Sequence, residues 1–382
     1  MLVSDFTYDL PEERIAKFPP KERGTTRLLV LDKKTGGIKD SYYKDLADFL
    51  NPGDVLILND TRVMQSRLFC SLPDGRKREL VVLEKHGDEP QRVMYRGKLR
   101  DGDVLEVLNT DAFETVLRQR EQEERSAARN DGPARAGRES ICIKHVLGNG
   151  IAEVESDTPL AELAEKYGTV PLPPYLHRDA TDDDKKRYQT VWAKYMGSAA
   201  APTASLNMTE ELLKKLQQKG VIVKYLTLHV GLGTFLPIRT DNIEDHKMHS
   251  EWYHIPEDTL REIERRRVTR LEGDPQNACD SKILGGAAGP VGRIVALGTT
   301  VARTLEYYAR TGKAEGEDDI FIYPGFEFKL VDALLTNFHA PKSTVLMLAS
   351  AFAGWDHLKN AYDHAIEEKY NFLSYGDSMF IC

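Results

Sequence analysis

The chain has 382 residues, 41% hydrophobic and 29% charged, enough apolar material for a substantial core and too much for a mainly disordered protein. Sixty acidic against 52 basic residues give a formal charge of −8, which excludes a strongly basic nucleic-acid footprint over the whole chain. The longest apolar run, residues 345–354, is about half of the ~20 residues that a bilayer crossing needs.

The first 18 residues mix acids and bases without an apolar secretory core, so no export signal is read there. Cys70, Cys142, Cys279 and Cys382 lie far apart with no C-x-x-C pair, which suits a reducing cytoplasm better than a disulfide or zinc framework. A soluble, cytoplasmic protein of two or three domains is expected.

In chain order, Val55-Leu56-Ile57-Leu58 is wholly apolar, the pattern of a strand buried on both faces. From 63 to 155, short alternating segments are broken by Pro73-Asp74-Gly75, His86-Gly87-Asp88 and Asp101-Gly102-Asp103. That spacing predicts a small β-barrel or sandwich. Acids and bases nearly balance there, and Arg76-Lys77-Arg78 with Arg96, Lys98 and Arg100 read either as phosphate contacts or as a solvated face. Residues 119–138 are polar and 272–290 rich in Gly and Ala; both read as exposed insertions without chemistry.

Thr209 opens a predicted helix with Glu210 and Glu211 in its first turn, closed by Gly220. Residues 221–230 and 293–297 read as strands, the second leading through Gly298-Thr299-Thr300 into a helix over 301–310. Strand–helix alternation implies a mixed α/β fold. The expected organisation is a discontinuous α/β main domain, 1–62 and 156–382, interrupted by a small β-barrel at 63–155.

His229-Val230-Gly231-Leu232-Gly233-Thr234 holds a G-x-G after a strand, but it lacks a third glycine and meets Pro237 where a helix should run, so it does not read as a dinucleotide fingerprint. Asp245-His246-Lys247-Met248-His249-Ser250-Glu251 lacks zinc-helix spacing, and no metal is expected. Imidazoles are the natural proton carriers near neutral pH. The Gly298-Thr299-Thr300 junction suits an anion at a helix start, with Arg303 one turn in, or else an ordinary Thr cap. Polar loops at Tyr323-Pro324-Gly325, Thr336-Asn337-Phe338-His339 and Ser374-Tyr375-Gly376-Asp377 also end apolar runs, as a ligand crevice requires.

Taken together, several strings go further: Asn59-Asp60-Thr61-Arg62-Val63, Pro171-Leu172-Pro173-Pro174-Tyr175, Ala200-Ala201-Pro202-Thr203, Thr227-Leu228-His229-Val230-Gly231, Met248-His249-Ser250-Glu251, Phe321-Ile322-Tyr323-Pro324-Gly325 and Thr336-Asn337-Phe338-His339. With Tyr188-Gln189-Thr190-Val191 and Ser374-Tyr375-Gly376-Asp377, the set resembles, in order and over nearly the whole chain, the S-adenosylmethionine:tRNA ribosyltransferase-isomerases of queuosine biosynthesis. The resemblance implies an α/β fold with an inserted barrel. It implies transfer and isomerisation of the ribosyl part of S-adenosylmethionine onto aminomethyl-deazaguanine at the wobble position of tRNA, giving epoxyqueuosine with loss of adenine and methionine. No cofactor beyond S-adenosylmethionine, no metal and no membrane are implied, and the chain is expected to act as a monomer on the tRNA anticodon loop.

A sulfonium acidifies the adjoining C5′ hydrogens, so the resemblance makes His229, His246, His249 and His339 the candidate proton carriers. It makes Asp60, Arg62, Pro202, Thr203, Asn207, Gly231, Gly233, Thr234, Glu251, Thr299, Thr300, Arg303, Tyr323, Asn337, Lys342, Tyr375 and Asp377 the candidate substrate contacts. Thr299, Thr300 and Arg303 would hold the methionine carboxylate, and Tyr175 and Tyr188 would contact anticodon bases. The chain departs from the family pattern at Met64-Gln65-Ser66, at Ser205, Asn207 and Met208 where the family reads Gly, His and Phe, and at Val301-Ala302, Ala340, Asn371 and Leu373. These departures leave open a paralogue with a different acceptor and a non-catalytic RNA-binding relative.

Overall fold

In the computed structural model, residues 1–83, 90–108, 139–148, 150–231, 238, 240–272 and 292–382 are described, without the side chains of 268–272. The turn at His86-Gly87-Asp88, the segments 119–138 and 273–290, Cys279, Gly233, Thr234 and Pro237 lie outside the described residues.

The strands are β1 (Arg27–Leu31), β2 (Ile38–Tyr42), β3 (Val55–Asn59), β4 (Thr61–Val63), β5 (Arg67–Ser71), β6 (Lys77–Val82), β7 (Arg92–Arg96), β8 (Val104–Val107), β9 (Ser140–Gly148) and β10 (Ile151–Glu155). There follow β11 (Tyr195–Ser198), β12 (Ile222–Leu228), β13 (Glu251–His254), β14 (Ile294–Leu297), β15 (Glu315–Asp318), β16 (Ala333–Asn337) and β17 (Ser378–Ile381). The helices are α1 (Leu160–Tyr167), α2 (Asp182–Arg187), α3 (Glu210–Gln218), α4 (Glu257–Glu272), α5 (Thr299–Thr311), α6 (Thr344–Ala353) and α7 (Trp355–Glu367).

Among the described residues, nine strands form one mixed sheet in the order β15-β13-β12-β3-β14-β16-β17-β1-β2, with β12, β3, β14 and β16 parallel. The apolar run predicted at β3 is buried at all five positions. Its alternate residues divide between two cores: Val55 and Ile57 pack with α5, α6 and α7, and Leu56 and Leu58 with α3. Burial on both faces is why this strand shows no alternation of polarity.

Strands β5 to β10 close into a separate barrel whose core takes Leu160, Leu163 and Ala164 from α1. Closure leaves the barrel with no unpaired edge. The α3 cap forms as read: Thr209 Oγ1 accepts the Leu212 N–H at 3.1 Å, and Gly220 follows the helix at φ +93°. Helix α5 begins earlier than the sequence suggests. Gly298, at φ +98°, is its N-cap, and Thr299 and Thr300 form the first turn instead of capping it.

Candidate active site at the carboxyl ends of the central strands

The four parallel strands all end on one side, as ligand-binding α/β sheets do. Strand β3 delivers Asp60 and Thr61, β12 His229, β14 Gly298 and Thr299, and β16 Asn337 and His339. A cavity of about 380 Å³ lies there, within the usual range for small-molecule sites. Its wall includes Pro202, Thr203, Thr299, Thr300, Asn337, His339 and Lys342 from the predicted set, together with Tyr175 and Ser374.

His339 is the predicted imidazole that lines this cavity. Its backbone is fixed on both sides: Tyr8 Oη donates to its carbonyl, and its N–H donates to Tyr362 Oη at 2.8 Å. Its Nε2 lies 2.8 Å from Thr336 Oγ1. The ring keeps a partial opening toward the cavity, but burial pushes its pKa down to about 3, so it is neutral at working pH. Opposite, Thr203 Oγ1 donates to Asn337 Oδ1 at 3.0 Å. Lys342 is exposed on the wall and holds φ +58°, an unusual conformation for a residue with a Cβ.

The other imidazoles stand apart. His229 is buried behind the cavity wall, stacked on Trp252 with centroids 5.2 Å apart, its Nδ1 2.8 Å from Thr61 Oγ1. Gly197 makes this possible: a Cβ there would sit 2.6 Å from the ring. His246 packs edge-on against Phe321, and burial, then the nearby His249, lowers its pKa. His249 is exposed. Neither lines the main cavity.

A smaller cavity of about 30 Å³ adjoins, sharing Thr299, Thr300 and Val345 with the large one and lined also by Met248, Glu251 and Arg303. Here the expected role of Arg303 changes. Its guanidinium is buried and bound by two carboxylates: Nη2 donates to Glu251 Oε2, and Nε to Asp318 Oδ2 at 3.2 Å. It is therefore not available as a free carboxylate clamp. Glu251 Oε1 also accepts the Gly231 N–H at 2.7 Å, placing both predicted residues beside this cluster. Asp318 was not foreseen. It sits on β15 directly across from Glu251 on β13, an unfavourable pairing of like charges unless a cation lies between them. Burial, with a contribution from Glu251, raises Asp318 to about 6 against the pull of Arg303. Tyr323 packs on Phe321 at this end, centroids 5.2 Å apart.

Several candidates prove to be internal brackets. Asn207 is 2% exposed and donates to Gly376 O at 3.0 Å and Ser378 Oγ at 3.2 Å. Asp377 accepts the backbone N–H groups of Arg27 and Asn371, and Tyr375 Oη donates to Asp184. Asp60 accepts from Thr227 Oγ1 at 2.7 Å. None of these lines the cavity, because their polar atoms are spent on backbone and core groups. Arg62 is exposed in a different recess with Lys185 and Gln189. Tyr188 is wholly buried, whereas Tyr175, on the same cavity wall as Ser374, shares a 2.5 Å hydrogen bond with it. Of the departures, Met208 and Val301 are core residues, Asn371 is exposed, and Ala340 and Leu373 line the cavity. Among the described residues no three His, Cys, Asp or Glu side chains gather as a metal site would require, and no helix is long and apolar enough to cross a membrane.

A family model described as queuosine biosynthesis protein matches residues 3–272 and 282–381. The chain belongs to that family. Within it, the chain is 47% identical over 390 residues to a protein of Pelodictyon phaeoclathratiforme named S-adenosylmethionine:tRNA ribosyltransferase-isomerase, each covered at 100%. It is 46% identical to the protein of that name from Chlorobium phaeobacteroides, with the same coverage. A crystal structure of S-adenosylmethionine tRNA ribosyltransferase from Thermotoga maritima is 30% identical and superposes with a TM-score of 0.50, covering 99% of this chain and 100% of that one. The mixed α/β fold with its closed barrel is thus the fold of the queuosine biosynthesis family.

Proposed function

We propose that this chain transfers and isomerises the ribosyl part of S-adenosylmethionine onto the aminomethyl-deazaguanine of tRNA, giving epoxyqueuosine and releasing adenine and methionine. The observation that carries this reading is end-to-end identity of 47% with a relative of that name, not a match confined to one domain. The cavity agrees with it in size and in chemistry.

His339 is the group to take the C5′ proton. An imidazole kept neutral is in its proton-accepting form, and negative charge developing at the carbon beside it favours the imidazolium as the proton moves. The Thr336 contact orients the ring. Asn337 and Lys342 supply donors, and Thr203 Oγ1 an acceptor, on the same wall for the ribose hydroxyls and the departing purine.

For the tRNA, a recess of about 590 Å³ lies between the barrel and segment 171–179, lined by Tyr95, Arg96 and His177 among others. The segment's Pro174–Leu176 turn also carries Tyr175 to the cavity wall. An aromatic face and cations lining this recess fit a single-stranded RNA loop.

The test is incubation with S-adenosylmethionine and tRNA bearing the aminomethyl base. Adenine release that needs that tRNA is expected, and His339→Gln should lower kcat by about 10²- to 10⁴-fold with little change in KM. Release with a different acceptor would replace this reading by the paralogue; ligand binding without turnover would replace it by the non-catalytic relative.

A further inference from the structure

Phe18 is the most exposed large apolar side chain among the described residues, at 61%. One exposed ring means little by itself, but the setting of this one is built. Its backbone is fastened on both sides: Arg178 Nε donates to Lys17 O at 2.7 Å, and Arg187 Nη2 to Pro20 O at 2.7 Å. Pro19 follows directly and narrows the Phe18 backbone to extended conformations. The ring is thus held out in water by a segment that is itself tied down.

The same Arg178 supports it from beneath. Its guanidinium carbon lies 4.2 Å from the centre of the Phe18 ring, a cation–π contact. That guanidinium is fixed in turn: Nη1 and Nη2 donate to Asp184 Oδ2 and Oδ1 at 2.7 and 2.8 Å, and Nη1 also to Asp179 O at 3.0 Å. Asp184 is 1% exposed and also accepts from Thr181 Oγ1 and Tyr375 Oη. One face of the phenyl therefore rests on a rigid planar group, and its exposure leaves the other to solvent. Arg178 and the adjacent His177 line the 590 Å³ recess, which sets the ring at its rim. The charges around it pair off, Lys17 with Glu12 at 3.0 Å, and Arg67 with Glu79 and Asp179 at 2.9 and 3.3 Å. What this rim offers is a flat π face more than a field, which suits a base better than a phosphate.

Resting on the tRNA reading above, we propose that Phe18 is the stacking platform for one unpaired base of the tRNA loop at the rim of this recess. Every nucleobase has a π face, so the platform adds affinity without choosing sequence. Because the ring's backbone and its support are already ordered, stacking costs little further conformational entropy.

Fluorescence anisotropy with labelled tRNA bearing the aminomethyl base, and the full chain, tests this. Phe18→Ala should weaken binding about 5- to 150-fold, the range for loss of one base–aromatic stack. Phe18→Leu, apolar but without a π face, should lose nearly as much. Phe18→Trp should bind within about 3-fold of the wild type, and its added indole emission should be quenched by the tRNA. The dependence of log Kd on log salt should keep its slope in every variant, since no phosphate contact is removed. S-adenosylmethionine affinity by calorimetry should also hold, because Phe18 does not line the 380 Å³ cavity. Wild-type tRNA affinity in Phe18→Ala or Phe18→Leu overturns the platform, as does a shallower salt slope. Self-association that Phe18→Ala abolishes, with tRNA affinity unchanged, overturns it in favour of a second copy of the chain. Failure of the wild type to bind this tRNA overturns the proposed function as well, so the two failures are distinguishable.

Discussion

The unusual acidity assigned to His339 makes a prediction about stability that needs no substrate. An imidazole whose pKa is lowered in the fold favours the folded state fully above its unfolded value near 6.5, and that contribution is lost as pH falls toward about 3. At pH 4 the unfolded chain has protonated this ring while the folded chain has not, which sets a ceiling of about 3 kcal/mol. The ring opens partly onto the cavity, so solvent screening reduces this to roughly 1–2 kcal/mol. Glutamine at this position does not titrate, and its amide can still meet Thr336. Urea unfolding of the wild type and His339→Gln at pH 7 and pH 4 isolates the difference, since the other groups titrate in both. The wild type should lose about 1–2 kcal/mol more than the variant on acidification. Parallel losses, or a larger loss in the variant, would refute the claim that the cavity wall holds a neutral imidazole.

Asp318 has the opposite sign: its raised pKa means that its contribution to stability is complete below about 3.8 and is lost as pH rises through about 6. Asp318→Asn should therefore flatten the loss of this contribution between pH 4 and pH 7 in urea unfolding. Asn207→Leu removes two buried donors and leaves Gly376 O and Ser378 Oγ unmatched, which should cost about 1–3 kcal/mol in urea unfolding. Lys342→Gly relieves the positive φ and should stabilise by up to about 1 kcal/mol while raising KM, separating strain from function.

What the sequence revealed follows from where burial is one-sided or complete. The β3 run was legible because both its faces are covered, and the Thr209 cap because a single hydroxyl serves its own helix three residues on. Local rules missed the true start of α5, where Gly298 supplies the positive φ and two β-branched threonines still enter the helix. The site was harder to read because a polar residue in a motif string has two possible employers. Asn207, Tyr375 and Asp377 satisfy internal groups, whereas Asn337 and His339 face the cavity, and nothing in composition separates the two. Asp318 gave no signal at all, since its meaning depends on a strand register that sets it opposite Glu251, 67 residues earlier in the chain.

That register also sets the Glu251–Arg303–Asp318 cluster against the smaller cavity. Two carboxylates placed face to face on adjacent strands, both inside the protein, are costly, and the buried Arg303 guanidinium that meets both offsets that cost. Well-packed apolar side chains would hold β13 and β15 together at least as well. The cluster is joined to the cavities through its neighbours: Glu251 fixes the Gly231 N–H two residues after His229, while Arg303 rises from the same helix whose first turn walls both cavities.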